Sequence, residues 1–175
     1  MESGASNIIT ADPHAYNVIK NDYNDDELPP IEHISQFLDK KIKSGTIRLK
    51  NIEDKNKVYT YHDPCYLGRH NSVYEPPRDV LDAIPGLQRV EMVKSRDRSF
   101  CCGGGGLMLF YEPEEEQRMG VLRVEMAKEA GANVIVTACP FCLVNIEDAI
   151  KVAGLEGEME ALDLVELVEQ HMIVD

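Results

Sequence analysis

The sequence of 175 residues lacks several features that would assign it to a common class of protein. It has no run of about 18 or more apolar residues, so we expect no membrane span. Its N-terminus has no basic segment followed by an apolar core, so we expect no secretory signal peptide. Basic residues are few, since 18 lysines and arginines against 31 acidic residues leave a net charge of −13. This deficit argues against nucleic acid or an anionic membrane surface as a partner.

Cysteine is also scarce, and its five copies cannot all be paired in disulfides. In a chain without a signal peptide, this odd number favours thiolates in a reducing compartment. The cysteines are Cys65, Cys101, Cys102, Cys139 and Cys142, in the spacing C-x35-C-C-x36-C-x2-C. Free cysteines usually behave as scattered, buried apolar residues. This spacing instead predicts thiolates that converge on one inorganic centre.

The adjacent pair Cys101 and Cys102 runs directly into four glycines, Gly103–Gly106. Neighbouring Cα atoms lie about 3.8 Å apart, so the pair cannot easily clamp one tetrahedral ion, but it can ligate two irons of one cluster. Five thiolates also exceed the four that one zinc ion or a cubane cluster uses, which suggests a spare thiolate, a bridging thiolate or an unusual cluster. Glycines allow the backbone to approach such a centre and direct N–H groups at sulfur. The alternative is a glycine-rich turn beside a buried cysteine pair.

The downstream pair, Cys139 and Cys142, is predicted at the N-cap and third position of a helix, with Pro140 at the first. Unpaired N–H groups and the helix dipole favour thiolates there. A Cys-x-x-Cys pair alone is also typical of a thioredoxin-like redox site or of half a zinc site. The three distant cysteines make both of these interpretations weaker.

Several polar residues lie near the cysteines in the sequence. His62 and His70 flank the first cysteine, and we interpret them as structural histidines rather than ligands or proton donors. Arg69, Arg96 and Arg98 lie near the predicted ligand loops. They are predicted either to offset thiolate charge or to be plain surface residues.

Alternating strands and helices predict an α/β fold, with a mostly parallel sheet and helices on its faces. Strands are predicted over 7–11, 31–34, 58–62, 87–93, 134–137 and 158–162, and helices over 13–20, 36–43, 77–84, 113–130, 140–152 and 164–171. Asp12, Ser35 and Asp163 are predicted N-caps, and Pro113 with three glutamates is predicted to open the fourth helix. Ligands of such folds lie at the carboxyl ends of strands. Three of the cysteine positions follow predicted strands, so the topology predicts that they meet at one edge of the sheet.

The two ends of the chain resemble each other. Residues 8–15 align with 135–142, and 33–38 with 161–166, at an offset of about 127–128 residues. Asp12 and Ala15 then stand where the second copy has its Cys-x-x-Cys pair. The alternative is chance similarity between two strand–helix units.

This repeat predicts three regions of the chain. Residues 1–45 would be the C-terminal half of a first module that has lost its cysteine pair. Residues 46–58 would be a linker, and residues 59–175 a complete second module with all five cysteines.

The cysteine pattern, with His-Asp-Pro-Cys at its start and Cys-Cys-Gly-Gly at its centre, resembles the cysteine-rich CCG domain over residues 59–172. That family includes heterodisulfide reductase B and D subunits and the iron–sulfur subunits of glycolate and lactate oxidation. The stretch Tyr-His-Asp-Pro-Cys-Tyr-Leu-Gly-Arg is similar to iron–sulfur proteins associated with electron-transfer flavoproteins. The resemblance implies that a [4Fe–4S] cluster, cubane or noncubane, is held by Cys65, Cys101, Cys102, Cys139 and Cys142.

The chain departs from this family pattern in its first module. Asp12 and Ala15 replace the first Cys-x-x-Cys, which argues against a paired-cluster disulfide reductase. The chain also begins inside that module, so we expect the missing half on another subunit or on a longer chain.

The leading hypothesis is a cytoplasmic iron–sulfur subunit of a heterodisulfide reductase-like, multi-subunit oxidoreductase. It would relay electrons between a flavoprotein or another cluster and a disulfide or quinone-linked acceptor. Expected partners are flavoprotein, iron–sulfur or membrane-anchored subunits, and the last would associate it with a membrane. Two alternatives stay open: a zinc-stabilised scaffold module without redox activity, and a metal-free thiol redox protein that uses Cys139 and Cys142. No catalytic residue is assigned.

Overall fold

A computed structural model of the protein describes residues 4–23, 28–105, 108–110, 114 and 117–174. Within these ranges the strands are β1 (Ile8–Thr10), β2 (Ile31–His33), β3 (Val58–His62), β4 (Gln88–Val90), β5 (Val134–Thr137) and β6 (Glu160–Asp163). The helices are α1 (Pro13–Asn21), α2 (Ile34–Lys43), α3 (Glu75–Asp82), α4 (Met119–Glu129), α5 (Pro140–Val152) and α6 (Leu164–His171). Short 3-10 helices cover Arg96–Arg98 and Met108–Phe110. No helix in the described ranges has both the length and the apolar character needed to cross a membrane.

The strands form two parallel sheets. The larger sheet has the order β4-β3-β5-β6, and β1 pairs with β2 in a separate two-stranded sheet. β5 lies inside the larger sheet, and all four of its residues are buried, which is typical of a parallel strand covered on both faces. Helices connect consecutive strands within each sheet, as parallel pairing requires. The predicted α/β fold with a mostly parallel sheet is therefore confirmed.

Two groups of buried side chains form the core. The first joins the two sheets and includes Tyr16, Tyr61 and Leu164. The second, which includes Ile135 and Ile146, also contains three of the five cysteines. Each fully buried isoleucine or leucine contributes roughly 1.5–3 kcal/mol to folding. Three thiols are therefore shielded from water by the same packing that stabilises the domain.

The predicted start of the fourth helix is wrong. α4 begins at Met119, Arg118 is extended, and Glu114 is not helical, whereas Pro113, Glu115 and Glu116 lie outside the described residues. The start is decided by tertiary packing. A Cβ on Gly120 would lie 3.0 Å from the Cβ of Ala149, so the first turn of α4 rests directly on α5.

The predicted cap of the second helix is also wrong. α2 begins at Ile34 and is capped by His33, whose Nδ1 accepts the N–H of Ser35 at 3.3 Å. The Gln36 side chain accepts the N–H of His33 at 3.1 Å and completes a capping box. Ser35 is intrinsically the better cap. Burial of the His33 ring, with its Nε2 3.3 Å from the oxygen of Ala11, overrides that preference.

Candidate metal centre

The five cysteines meet at the carboxyl end of the larger sheet. Cys65 lies in the loop after β3, Cys101 and Cys102 in the long loop after β4, and Cys139 directly after β5, where it is the N-cap of α5. Cys142 lies in the first turn of α5. All five are free thiols, the first two half-buried and the last three buried.

The sulfur atoms form one connected group. The Sγ atoms of Cys102 and Cys142 lie 3.3 Å apart. Thiol hydrogen bonds extend this contact on both sides, because Cys101 bonds with Cys65 and Cys102 and Cys142 bonds with Cys139. The order is therefore Cys65–Cys101–Cys102–Cys142–Cys139. The structure brings together all five predicted residues, and their role as ligands stays a prediction.

Crowding of the thiols separates their pKa values. The neighbouring thiols and the N–H of Gly103 lower the pKa of Cys101 far below its ordinary value. At the other end of the group, the thiol of Cys142 and the N–H groups at the start of α5 lower the pKa of Cys139. Hydrogen bonding to Cys101 and burial raise the pKa of Cys65. Thiolate character is therefore greatest at one member of each cysteine pair.

The glycine run directs backbone N–H groups at sulfur, as the sequence predicts. The N–H of Gly103 lies 3.3 Å from the Sγ of Cys101, and the N–H of Gly104 lies 3.4 Å from the Sγ of Cys102. Gly103 has φ = +86°, a conformation that side chains rarely allow. Gly106 lies outside the described residues.

Of the two flanking histidines, His62 lies at the centre. One of its ring nitrogens and the Sγ atoms of Cys102 and Cys142 all lie within 4.8 Å of one another. Its Nδ1 accepts the Nε–H of buried Arg123 at 3.0 Å. Burial, and then the charge of Arg123, lower the pKa of His62 to about 3, so the ring is neutral.

His70 instead belongs to a row of rings beside the thiols. It is exposed and stacks on Tyr66 with centroids 4.5 Å apart, and Tyr66 contacts the ring of His14 at 4.4 Å. His14 in turn meets the ring of Phe141 edge-on at 5.4 Å. The Asp12 side chain caps α1 by accepting the N–H of His14 at 2.9 Å. The cysteine-free turn at the start of α1 therefore packs beside the cysteine-bearing turn of α5.

The three arginines singled out in the sequence have different positions. Arg69 donates from Nη2 to the carbonyl oxygen of Ser99 at 2.6 Å and so supports the loop before the cysteine pair. Arg96 pairs with Glu75 near the surface, and Arg98 is exposed. Arg69 is thus a loop support, and the surface interpretation suits the other two.

Asp63, from the His-Asp-Pro-Cys motif, ties the two upstream ligand loops together. Its carboxylate accepts both Nη groups of buried Arg78 at 2.7 and 2.8 Å, and also the N–H of Arg96 at 2.8 Å. Its carbonyl oxygen accepts the hydroxyl of Ser99 at 3.1 Å. Glu91 accepts the Nε of Arg78 at 2.6 Å. This network links the loop of the first cysteine to the loop of the cysteine pair.

Arg78 and Arg123 are functional neighbours of the centre that the sequence interpretation missed. Arg123 follows Val121-Leu122 and precedes Val124, and a charge within such an apolar run is a signal of burial. Arg78 has no comparable signal in its own segment. Its partner Asp63 has one, because an acid beside a buried strand requires a cation.

The chain matches one protein family and several longer proteins. The family profile of the CCG cysteine-rich domain matches residues 59–147. The Probable iron-sulfur-binding oxidoreductase FadF of Bacillus subtilis is 40% identical over 167 residues, 95% of this chain and 23% of that protein. A heterodisulfide reductase polypeptide of Methanosarcina acetivorans, its D subunit, is 37% identical over 173 residues, 97% of this chain and 41% of that protein. The EtfAB:quinone oxidoreductase of Syntrophomonas wolfei is 35% identical over 177 residues, 97% of this chain and 24% of that protein.

The chain spans less than half the length of each of these relatives. The profile match covers half of the chain and includes every cysteine of the connected sulfur group. It also confirms the resemblance noted from the motifs. The chain belongs to the CCG cysteine-rich domain family.

Proposed function

We propose that this chain is an iron–sulfur electron-transfer part of an oxidoreductase. Its [4Fe–4S] cluster would be ligated by Cys65, Cys101, Cys102, Cys139 and Cys142. The observation that carries the proposal is the convergence of five thiols from three loops into one connected group of sulfurs. Relatives named as iron–sulfur-binding or quinone-reducing oxidoreductases support it.

The residues present fit such a cluster. Soft thiolate donors are the usual ligands of iron–sulfur clusters, and the adjacent pair can reach two irons. Burial of Cys102, Cys139 and Cys142 keeps water away from those sulfurs. The N–H groups of Gly103 and Gly104 donate to ligand sulfurs and so stabilise negative charge there. A bound cluster would supply one-electron redox chemistry.

The surplus thiol distinguishes two forms of the cluster. A cubane cluster would use four thiols and leave one free, whereas a noncubane cluster would use all five. Cys65 and Cys101 are half-buried, so a free thiol in that part of the group would be open to alkylating reagents. Counting the thiols that react in the cluster-loaded protein therefore separates the two forms.

We also propose a heterodisulfide reductase-like role within a complex in the cytoplasm. The chain would pass electrons between a flavoprotein or other iron–sulfur subunit and a disulfide or quinone-linked acceptor. A membrane-anchored partner would bring it to the membrane. The names of the relatives, which include a heterodisulfide reductase and a quinone oxidoreductase, support this role.

The proposed organisation is half of a degenerate first module before one complete module. In support, β1 and β5 are each followed by an N-cap and a proline-started helix, with Asp12 and Cys139 as the caps. In each half a second parallel strand and helix follow, capped by His33 and Asp163. The matching caps differ by two positions from the predicted match of Ser35 with Asp163.

A zinc-stabilised scaffold module is the second candidate. The grouping of a ring nitrogen of His62 with two thiol sulfurs within 4.8 Å favours it, since His and Cys are zinc ligands. The bond from Arg123 to Nδ1 leaves only the other ring nitrogen of His62 for a metal. A metal-free thiol site at Cys139 and Cys142 is the third candidate, and its two thiols are in contact.

The deciding experiment measures iron, acid-labile sulfide and zinc in anaerobically purified protein, with absorption spectra before and after dithionite. We expect about four irons and four sulfides per chain, and bleaching on reduction. Cys139→Ser should lose most of the iron. Asp12→Ser, at the matching cap of the cysteine-free turn, should retain it. One zinc without sulfide would contradict the proposal, as would protein without metal whose two α5 thiols alone are reactive.

A further inference from the structure

Arg123 is a buried cation whose negative partner is missing from the described part of the chain. Its side chain is fully buried, and its Nη2 has no hydrogen-bond partner within the described ranges. Its other contacts are neutral: Nη1 donates to the carbonyl oxygen of Lys94 at 2.8 Å, and Nε donates to His62. A buried guanidinium without a carboxylate is costly, which calls for a source of negative charge.

The nearest source of such charge is the thiol group. Ionisation of Cys142 would favour the charged form of Arg123, whose pKa is lowered to about 10 by burial and thus still leaves it charged at neutral pH. Ligand thiols of an iron–sulfur centre are thiolates. The cation is therefore uncompensated among neutral thiols and compensated once those thiols are ionised.

The bond between Arg123 and His62 also decides which ring nitrogen carries hydrogen. A guanidinium only donates, so the Nδ1 atom of His62 at 3.0 Å accepts. A neutral imidazole has one N–H, which must then be at Nε2. His62 lies beside the sulfurs of Cys102 and Cys142, so this N–H is available to sulfur.

We propose that Arg123 and His62 form a positioning relay for the thiolate centre: Arg123 fixes the Nε2–H form of His62, and His62 donates that hydrogen to ligand sulfur at Cys102 or Cys142. This inference rests on the proposed function. N–H donation and a nearby positive charge stabilise the reduced state, which carries one more negative charge. The relay therefore raises the reduction potential and takes no part in ligation.

Redox titration of the cluster-loaded full chain tests the relay. His62→Leu and Arg123→Met should each lower the ratio of reduced to oxidised cluster at a fixed potential about tenfold, equal to about 59 mV for one electron. His62→Gln keeps an N–H donor near the Nε2 position and should recover most of the shift. Lys128→Met, which removes an exposed charge from the same helix, is the matched control and should shift nothing.

The double variant and a spectroscopic measurement sharpen the test. Arg123 acts partly through His62, so the double variant should shift the potential by less than the sum of the two single variants. Pulsed EPR of the reduced cluster should detect the nitrogen of 15N-labelled histidine, and His62→Leu should remove that signal. If Arg123→Met does not fold, the His62→Gln and His62→Leu pair decides.

The outcomes separate the relay from the function on which it rests. Protein that takes up no iron overturns the proposed function. Full iron content with unchanged potential in His62→Leu overturns the relay alone, and so does an additive double variant. Equal shifts in His62→Gln and His62→Leu also overturn it, because a purely structural histidine would give that result.

Discussion

Arg78 and Arg123 are both at most 1% exposed, yet their surroundings differ. Arg78 donates to both carboxylate oxygens of Asp63 and to Glu91. Arg123 donates to a carbonyl oxygen and to the ring of His62, and it forms no ion pair with any residue that the structure describes. The first cation is neutralised by the chain itself, and the second faces thiols.

This difference separates a structural charge from a functional one. Two carboxylates satisfy the guanidinium of Arg78, and the resulting network holds two ligand loops together. Arg123 keeps an unpaired Nη2 beside a group of sulfurs that a metal would ionise. Burial alone therefore does not identify a functional charge, whereas burial without a counter-charge does.

The largest expected effect comes from making Arg78 resemble Arg123. Asp63→Asn removes the main negative partner of a buried cation and should lower the free energy of unfolding by about 3 kcal/mol. Urea denaturation followed by circular dichroism measures it. Asp148→Asn, which breaks the exposed pair with Arg118, is the control and should cost at most about 1 kcal/mol. Equal losses in the two variants would contradict the structural role of the buried pair.

A smaller loss is expected when Arg123 itself is replaced. In iron-free protein, Arg123→Met leaves only neutral acceptors without a donor and should cost about 1–2 kcal/mol. Arg78→Met leaves the buried carboxylate of Asp63 without its cation and should cost about 3 kcal/mol in the same urea experiment. Were Arg123→Met the more damaging of the two, the contrast between the arginines would be wrong.

The smallest effect concerns Glu91 and depends on pH. Partial burial raises the pKa of Glu91, but hydrogen bonds from Arg78 and the charges of nearby arginines outweigh it and hold the pKa below 4.5. A lowered pKa in the folded state stabilises the protein above pH 4.5, and this contribution is lost as the pH falls through the folded value. Its size is about 1 kcal/mol, because the carboxylate is partly exposed to solvent.

Glu91→Gln should therefore flatten the fall of unfolding free energy below pH 4.5, as measured by urea denaturation at several pH values. Glu75→Gln is the control, because Glu75 pairs with Arg96 at the surface and its pKa is lowered by that bond. Screening by water should make its contribution smaller. An acid limb that is unchanged in Glu91→Gln would show that this carboxylate does not support the buried pair.

Much of the fold and the grouping of the cysteines follows from local pattern. The buried run Val134–Thr137 and the alternation at Val58–His62 predict strands, and the structure has them at those bounds. The start of α4 and the cap of α2 are different, because contacts of Gly120 and burial of His33 outweigh local propensity. Local signals fail where distant residues decide a boundary.

The sequence by itself determined the five-thiol pattern and its place after the strands, because parallel strands bring their carboxyl ends to one edge. Only the tertiary structure decided that His62 lies at that edge and His70 in the ring row outside it. It also decided that one buried arginine meets carboxylates and the other meets an imidazole beside sulfur. The physical reason is that the partner of a buried charge depends on how helices pack on the sheet, and no local spacing encodes that packing.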